Sequence, residues 1–117
     1  MLKTIPTLIA EIRKNIQTTS AHDAYLSAQK EKSLFIDVRE AQEVATSPVI
    51  NSVNIPRGVL EMNIGSCTTD EDQRIYLHCA TGGRASLAAE QLSRLGYKNV
   101  WAIICQHNDV CSAQEKS

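Results

Sequence analysis

One cysteine stands where an apolar run gives way to a helix-like run. Cys79 follows the segment 74–78, whose apolar residues predict a short buried strand. It begins a loop that continues with Ala80, Thr81, Gly82, Gly83 and Arg84. Residues 85–95 then have the spacing of an amphipathic helix. A thiol placed there faces the amino end of a helix, where backbone N–H groups favour negative charge. The sequence therefore predicts a reactive thiolate at Cys79.

The composition of the loop supports this interpretation. Gly82 and Gly83 would let successive N–H groups turn inward around an anion and form a nest. Arg84 would add a positive charge. The alternative is a structural cysteine buried in a turn, because free cysteine is among the most buried residue types. Local chemistry favours the reactive thiol because Gly-Gly-Arg follows so closely.

The elements around the loop alternate between strands and helices. Strands are predicted at 33–38, 52–55, 74–78 and 99–104. Helices are predicted at 5–16, 20–28, 39–45 and 85–95, with a helical turn at 59–64. The alternation indicates an α/β domain with a mainly parallel sheet flanked by helices. We expect residues 1–19 to form an added N-terminal helical extension and residues 20–117 the main domain, within one structural unit.

The totals argue against several classes of function. The 117 residues fit one domain. The net charge of -1, from 12 basic and 13 acidic residues, predicts no long basic surface for nucleic acid. No apolar run reaches the roughly 18 residues of a membrane-spanning helix. The 4 cysteines lack the dense pairing of a disulfide framework, which favours a reducing, cytoplasmic location.

Four segments carry a resemblance to a known family. They are 34–40 (LFIDVRE), 53–58 (VNIPRG), 76–85 (YLHCATGGRA) and 95–100 (LGYKNV). Their order and spacing resemble those of single-domain rhodaneses across about positions 33–104. The resemblance implies a rhodanese-like three-layer fold and a thiosulfate sulfurtransferase. In such an enzyme Cys79 is the nucleophile, becomes a persulfide, and needs no metal or organic cofactor.

The resemblance also implies a reaction in two steps. The Cys79 thiolate attacks the outer sulfur of thiosulfate and expels sulfite, and cyanide or a cellular thiol then removes the bound sulfur. The amides of the loop 80–84 would bind the persulfide and the incoming donor, and Arg84 would help to hold that anion. We expect the partners to be a small-molecule sulfur donor and a thiol acceptor, and the acceptor could be a protein thiol. We also expect the chain to be a monomer that binds neither nucleic acid nor membrane.

Further residues near the loop are assigned supporting roles. Asp37 and Arg39 match the family's Asp-x-Arg element, which more often braces loops than takes part in the chemistry. Arg57 would either flank the pocket entrance or lie on the surface in solvent. His78 precedes the nucleophile, and strand alternation points its side chain to the face opposite Cys79. We interpret His78 as a packing residue and not as a general base.

Two other functions remain open. A non-enzymatic binding module of rhodanese fold would not need a reactive cysteine, but this chain retains Cys79 and an intact loop. A phosphatase or arsenate reductase of related fold would have a loop one residue longer, suited to a phosphate-sized group. The loop from Cys79 to Arg84 has six residues, which favours sulfur transfer.

The chain departs from the family's pattern in two places. Residues 47–52 replace the usual Gly-His-Ile-x-Gly-Ala turn, and residues 104–111 replace the usual Glu-Gly-Gly and tryptophan-bearing helix. We therefore expect the tail to be a short or poorly anchored helix, or a frayed end. Cys105, His107 and Cys111 lack a fourth ligand close by, which argues against zinc. Either cysteine could act as a resolving thiol if the tail reaches the loop.

Overall fold

The computed structural model describes residues 1–116. Its strands are β1 (Gln17–Thr19), β2 (Ser33–Asp37), β3 (Val53–Asn54), β4 (Arg74–His78) and β5 (Val100–Ile103). They form one parallel sheet in the order β1-β5-β4-β2-β3. The α-helices are α1 (Ile5–Arg13), α2 (Ala21–Ala28), α3 (Ala41–Thr46), α4 (Leu60–Asn63), α5 (Gly83–Leu95) and α6 (His107–Lys116). The predicted α/β fold, with a parallel sheet and an N-terminal helix, is confirmed.

Side chains alternate along β4 between two buried clusters, one on each face of the sheet. On one face, Ile75, Leu77 and Cys79 pack with α5. On the other face, Tyr76 packs with residues of α2 and α6. There the ring of Phe35 stacks between those of Tyr25 and Tyr76, with centroid distances of 4.5 and 5.0 Å. Cores on both faces explain why the central strands are almost wholly apolar.

The helix after the cysteine loop begins two residues earlier than predicted. α5 starts at Gly83, so Arg84 lies in its first turn rather than at the end of an extended loop. The predicted apolar face is buried, as Ala85, Ala88, Ala89 and Leu92 show. Gly96 ends the helix with a φ of 110°, a left-handed conformation that glycine adopts without strain. α5 therefore presents its amino end to Cys79.

The segment 1–19 is not helical throughout. α1 ends at Arg13, and β1 then pairs with β5 through Gln17↔Trp101, Thr18↔Ala102 and Thr19↔Ile103. Sequence patterns missed β1 because it has only three residues, all polar, and pairs along one edge alone. This strand ties α1 to the same sheet as the cysteine loop.

The expectation of a poorly anchored tail is wrong. α6 has 10 residues and packs on the same cluster as α2, where Val110 is completely buried. Its first turn is also held at the cysteine loop, because the His107 N–H donates to the Ala80 carbonyl oxygen at 2.9 Å. A single buried valine in a polar stretch gives almost no periodic signal, so the sequence could not predict this anchoring. Within residues 1–116, no helix is both long and apolar enough to cross a membrane.

Candidate active site

Cys79 lies between the end of β4 and the start of α5, with only 1% of its surface exposed. Its Sγ accepts hydrogen bonds from the Gly82 N–H at 3.1 Å and the Ala85 N–H at 3.4 Å. Backbone amides directed at a sulfur stabilise negative charge that develops on it during a reaction. Ala85 lies just outside the predicted set of loop donors. Its N–H is free for sulfur because the first N–H groups of a helix have no intrahelical partner.

The two glycines of the loop differ, because the surroundings require a glycine at position 82 and leave only a tight fit at position 83. Gly82 has a φ of 92°, which side chains disfavour, and an added Cβ there would lie 2.9 Å from the Cα of Ile104. At Gly83 an added Cβ would lie 3.1 Å from the Cδ1 of Ile9. The loop is therefore packed closely against α1 and against the chain that leaves β5.

Arg84 is bound by a carboxylate. Its two terminal nitrogens lie 2.6 and 2.9 Å from the two carboxylate oxygens of Glu43 in α3. These hydrogen bonds, followed by one from the Glu40 N–H, lower the pKa of Glu43 to about 2. The hydrogen bonds to Glu43 are also the main cause of the raised pKa of Arg84. Arg84 is thus already paired with a carboxylate, a partner that the sequence did not predict.

Asp37 and Arg39 form a buried ion pair that braces this region. Arg39 Nε lies 3.0 Å from one Asp37 carboxylate oxygen, and a terminal nitrogen of Arg39 lies 2.7 Å from the other. The guanidinium also donates to the carbonyl oxygens of Glu43 and Ser47, at 3.4 and 2.7 Å. The pair thereby fixes the helix that carries the carboxylate bound to Arg84.

The guanidinium of Arg57 forms an ion pair with the carboxylate of Glu61, with a nitrogen–oxygen distance of 2.9 Å. These residues are one helical turn apart and partly exposed, a type of pair that contributes little to stability.

His78 is completely buried, and its Nε2 lies 2.7 Å from the Ser52 Oγ. Burial lowers the pKa of His78 to about 4, so the ring is neutral at pH 7. This environment suits the packing role expected for His78.

Comparison with known proteins agrees with this geometry. Residues 20–105 match the model of the rhodanese-like domain family. The chain belongs to that family. It is 30% identical over 69 residues to the putative sulfur carrier protein YrkF of Bacillus subtilis, which covers 59% of this chain and 36% of that protein.

Two further similarities extend the comparison. A putative mitochondrial thiosulfate sulfurtransferase of Schizosaccharomyces pombe is 28% identical over 79 residues, covering 58% of this chain and 56% of that protein. A solved Rhodopseudomonas palustris protein of unknown function, described as a possible tyrosine phosphatase, has a TM-score of 0.79 at 23% identity. That match covers 97% of this chain and 92% of the other and shows a shared fold. The rhodanese-like chain thus spans 36% and 56% of the two curated relatives.

The two tail cysteines of this rhodanese-like domain have separate partners. The Cys105 Sγ accepts a hydrogen bond from the Ala21 N–H at 3.3 Å, and the Cys111 Sγ lies 3.4 Å from the His107 Nε2. The same ring nitrogen lies 2.8 Å from the Ser47 Oγ. Across residues 1–116, no three His, Cys, Asp or Glu side chains are grouped so that they could hold a metal ion. A resolving role for either cysteine stays a prediction.

Sequence reasoning missed two residues that support the loop. Arg13 Nε donates to the Ser86 Oγ at 3.0 Å, and the Ser86 hydroxyl donates to the Gly82 carbonyl oxygen at 2.7 Å. Serine side chains within helices often donate to the backbone carbonyl four residues earlier. The position of Ser86 in the helix was therefore a weak sequence signal for its bond to Gly82. Arg13 is 73 residues away from Ser86, and no spacing rule connects them.

Proposed function

We propose that this chain is a sulfurtransferase that carries sulfane sulfur on Cys79. Thiosulfate or a persulfide is the sulfur donor, and cyanide or a cellular thiol, including a protein thiol, is the acceptor. The observation that carries the proposal is the pair of amides directed at the Cys79 Sγ, one from the six-residue loop and one from the first turn of α5 that follows it. The names of the Bacillus subtilis and Schizosaccharomyces pombe relatives support the same chemistry.

In the first half-reaction, the Cys79 thiolate attacks the outer sulfur of thiosulfate. A Cys79–sulfur bond forms, the sulfur–sulfur bond of thiosulfate breaks, and sulfite leaves with the electron pair. Because sulfite leaves as an anion, the step needs no general acid, which is consistent with the buried, neutral His78. The product is a persulfide whose outer sulfur is negatively charged.

In the second half-reaction, cyanide or an acceptor thiolate attacks that outer sulfur. The persulfide bond breaks, and the Cys79 thiolate leaves with the electron pair and returns to its two amide donors. Fixed backbone dipoles stabilise negative charge on sulfur in both half-reactions without rearrangement. A ping-pong cycle follows, since sulfite departs before the acceptor reacts.

Arg84 would bind the sulfur donor only after it releases the carboxylate of Glu43. Its bidentate pair with Glu43 has a geometry that a planar carboxylate and an oxyanion can both satisfy. The two side chains are 34% and 38% exposed, so solvent weakens the pair. Thiosulfate can therefore displace the Glu43 carboxylate at a modest cost.

A turnover assay tests the proposal. Purified protein is supplied with thiosulfate and cyanide, and thiocyanate is measured beside a Cys79→Ser variant. We expect turnover by the wild type and none by the variant. Full turnover by the variant would show that another group is the nucleophile. Folded wild type that produces no thiocyanate but hydrolyses an aryl phosphate would support the phosphatase alternative, and inactivity in both assays would support a binding module.

A further inference from the structure

The N-terminal helix reaches the cysteine loop through one side chain. Arg13 is the last residue of α1 and lies outside residues 20–105, the part that matches the family model. Its Nε donates to the Ser86 Oγ at 3.0 Å. A terminal nitrogen of the same guanidinium lies 3.1 Å from where a Cβ on Gly82 would be. The guanidinium therefore contacts the loop at the residue that donates to the cysteine sulfur.

Three hydrogen bonds connect Arg13 to the sulfur. Arg13 donates to the Ser86 Oγ, the Ser86 hydroxyl donates to the Gly82 carbonyl at 2.7 Å, and the Gly82 N–H donates to the Cys79 Sγ at 3.1 Å. The direction of this chain is fixed because a guanidinium has donors only. Ser86 must accept from Arg13, so its own proton points to Gly82. The Arg13 bond polarises the Ser86 hydroxyl and strengthens its bond to the Gly82 carbonyl. The Gly82 N–H belongs to a different peptide group, so the last link acts through the position of the backbone.

The series of hydrogen bonds is important because it restrains the backbone conformation of Gly82. Its φ of 92° is left-handed, and two dihedral angles separate its N–H from its carbonyl group. Holding the carbonyl oxygen therefore limits the directions that the N–H can take. Ser86 is completely buried, so water does not compete for its hydroxyl group.

The two arginines near the cysteine loop differ in whether a carboxylate pairs with their charge. Arg84 is bound to both oxygens of Glu43, whereas Arg13 has no carboxylate partner among residues 1–116. A charged donor makes a stronger hydrogen bond than a neutral one, so the bond from Arg13 to Ser86 is charge-assisted. The two arginines near the loop thus do different things. Arg84 is available to the donor by exchange, and Arg13 acts on the loop itself.

We propose that Arg13 is a positioning residue for sulfur transfer, which holds the Gly82 amide against the Cys79 sulfur through Ser86. The proposal rests on the sulfurtransferase function above and adds a part of the chain outside the matched family region. Because Arg13 acts on the attacking sulfur and not on the donor, its loss should lower kcat and leave the KM for thiosulfate unchanged.

The test compares Arg13→Met with a matched control, Lys14→Met. Lys14 is the next residue, is exposed, and also carries one positive charge. Misplacing one oriented donor should lower kcat about tenfold in Arg13→Met, with the KM for thiosulfate unchanged within about twofold. Lys14→Met should match the wild type. Arg13→Lys, which keeps a charged donor, should recover most of the lost rate.

Two measurements separate positioning from other roles. A donor with one negative charge in place of two, the methanethiosulfonate anion, transfers its outer sulfur to Cys79 as methanesulfinate leaves. It should show the same loss of kcat in Arg13→Met as thiosulfate does. In a double-mutant cycle with Ser86→Ala, the double variant should be no slower than Ser86→Ala alone, since both changes interrupt one chain. If Ser86→Ala does not fold, the comparison of Met, Lys and wild type at position 13 decides the question.

Several outcomes would overturn the proposal. They are an Arg13→Met variant as fast as Lys14→Met, additive losses in the cycle, or a raised KM for thiosulfate alone, which would make Arg13 a donor-binding residue. A wild type that accepts sulfur from neither donor would instead contradict the sulfurtransferase function. The two failures are therefore distinguishable, because the first requires an active wild type.

Discussion

Arg84 and Glu43 form a two-pronged ion pair at the start of α5, with nitrogen–oxygen distances of 2.6 and 2.9 Å. Glu43 belongs to the first turn of α3, where its carboxylate also accepts the Glu40 N–H at 3.0 Å. The buried Asp37–Arg39 pair fixes the same segment from below the surface. The arginine of the cysteine loop is thus held by a residue 41 positions away in the chain.

Glu43→Gln should improve donor binding. Glutamine keeps the length of the side chain and its acceptor for the Glu40 N–H but leaves Arg84 with an unmatched charge. An exposed ion pair is worth up to about 1 kcal/mol, so the KM for thiosulfate should fall about two- to fivefold. Glu61→Gln, which releases Arg57 from a similar pair, is the control and should leave KM unchanged. An unchanged KM in Glu43→Gln would mean that Arg84 does not bind the donor.

Gly82→Ala should abolish activity, whereas Gly96→Ala should not. Both glycines are left-handed, with φ of 92° and 110°, so alanine should cost each about 1 kcal/mol or more of unfolding free energy. Only at Gly82 would the added Cβ meet the backbone of Ile104, at 2.9 Å. Urea unfolding and thiocyanate assays on both variants test this. Equal losses of activity would contradict a specific role for the Gly82 amide.

His78 should make the protein less stable in mild acid. Its pKa is about 4 in the folded state, against an ordinary value of 6.5, because burial disfavours the charged ring. Its contribution to the unfolding free energy is complete above pH 6.5 and is lost as the pH falls to about 4. The shift corresponds to a loss of about 3 kcal/mol.

The pH dependence of His78 can be isolated by substitution. The charged groups that act on its ring are Asp37, which raises its pKa, and Arg39 and His107, which lower it. In His78→Gln, urea unfolding free energies measured from pH 7 to pH 4 should fall less steeply than in the wild type. His22→Gln, at an exposed position, is the control and should keep the wild-type slope. An unaltered slope in His78→Gln would show that His78 is not the group responsible.

Val110→Ala should test the anchoring of α6. Val110 is completely buried in the cluster shared with α2, and removing two methyl groups there should cost about 2 kcal/mol. Val59→Ala, at a site 42% exposed, should cost far less. Thermal or urea unfolding measures both changes. If the two variants are equally stable, α6 does not contribute to the folded core.

The sequence predicted those parts of the fold whose signals are local. The apolar run 74–78, the periodic face of α5 and Gly96 correctly placed Cys79 between a strand and a helix. The strand β1 was missed because three polar edge residues have no pattern to detect. α6 was underestimated because one buried valine, Val110, anchors it. Periodicity describes one element at a time, and these features depend on neighbours in space.

The candidate site also has parts that local sequence signals predicted and parts that depend on neighbours in space. Loop composition pointed to Cys79 and its amides, but partners from distant segments could not be predicted. Glu43 meets Arg84 only because α3 and α5 begin at the same edge of the sheet, and Arg13 meets Ser86 only because α1 packs against the start of α5. Such ion pairs and hydrogen bonds join residues with no common spacing in the chain.

Sulfur transfer through Cys79 is tested most directly by the mass of the intact protein after incubation with thiosulfate and removal of excess reagent. The wild type should gain the mass of one sulfur atom, peptide mapping should place that atom on Cys79, and cyanide should remove it. The Cys79→Ser variant should gain nothing. A folded wild type with unchanged mass, or a sulfur atom on Cys67, Cys105 or Cys111 in place of Cys79, would show that Cys79 is not the sulfur carrier.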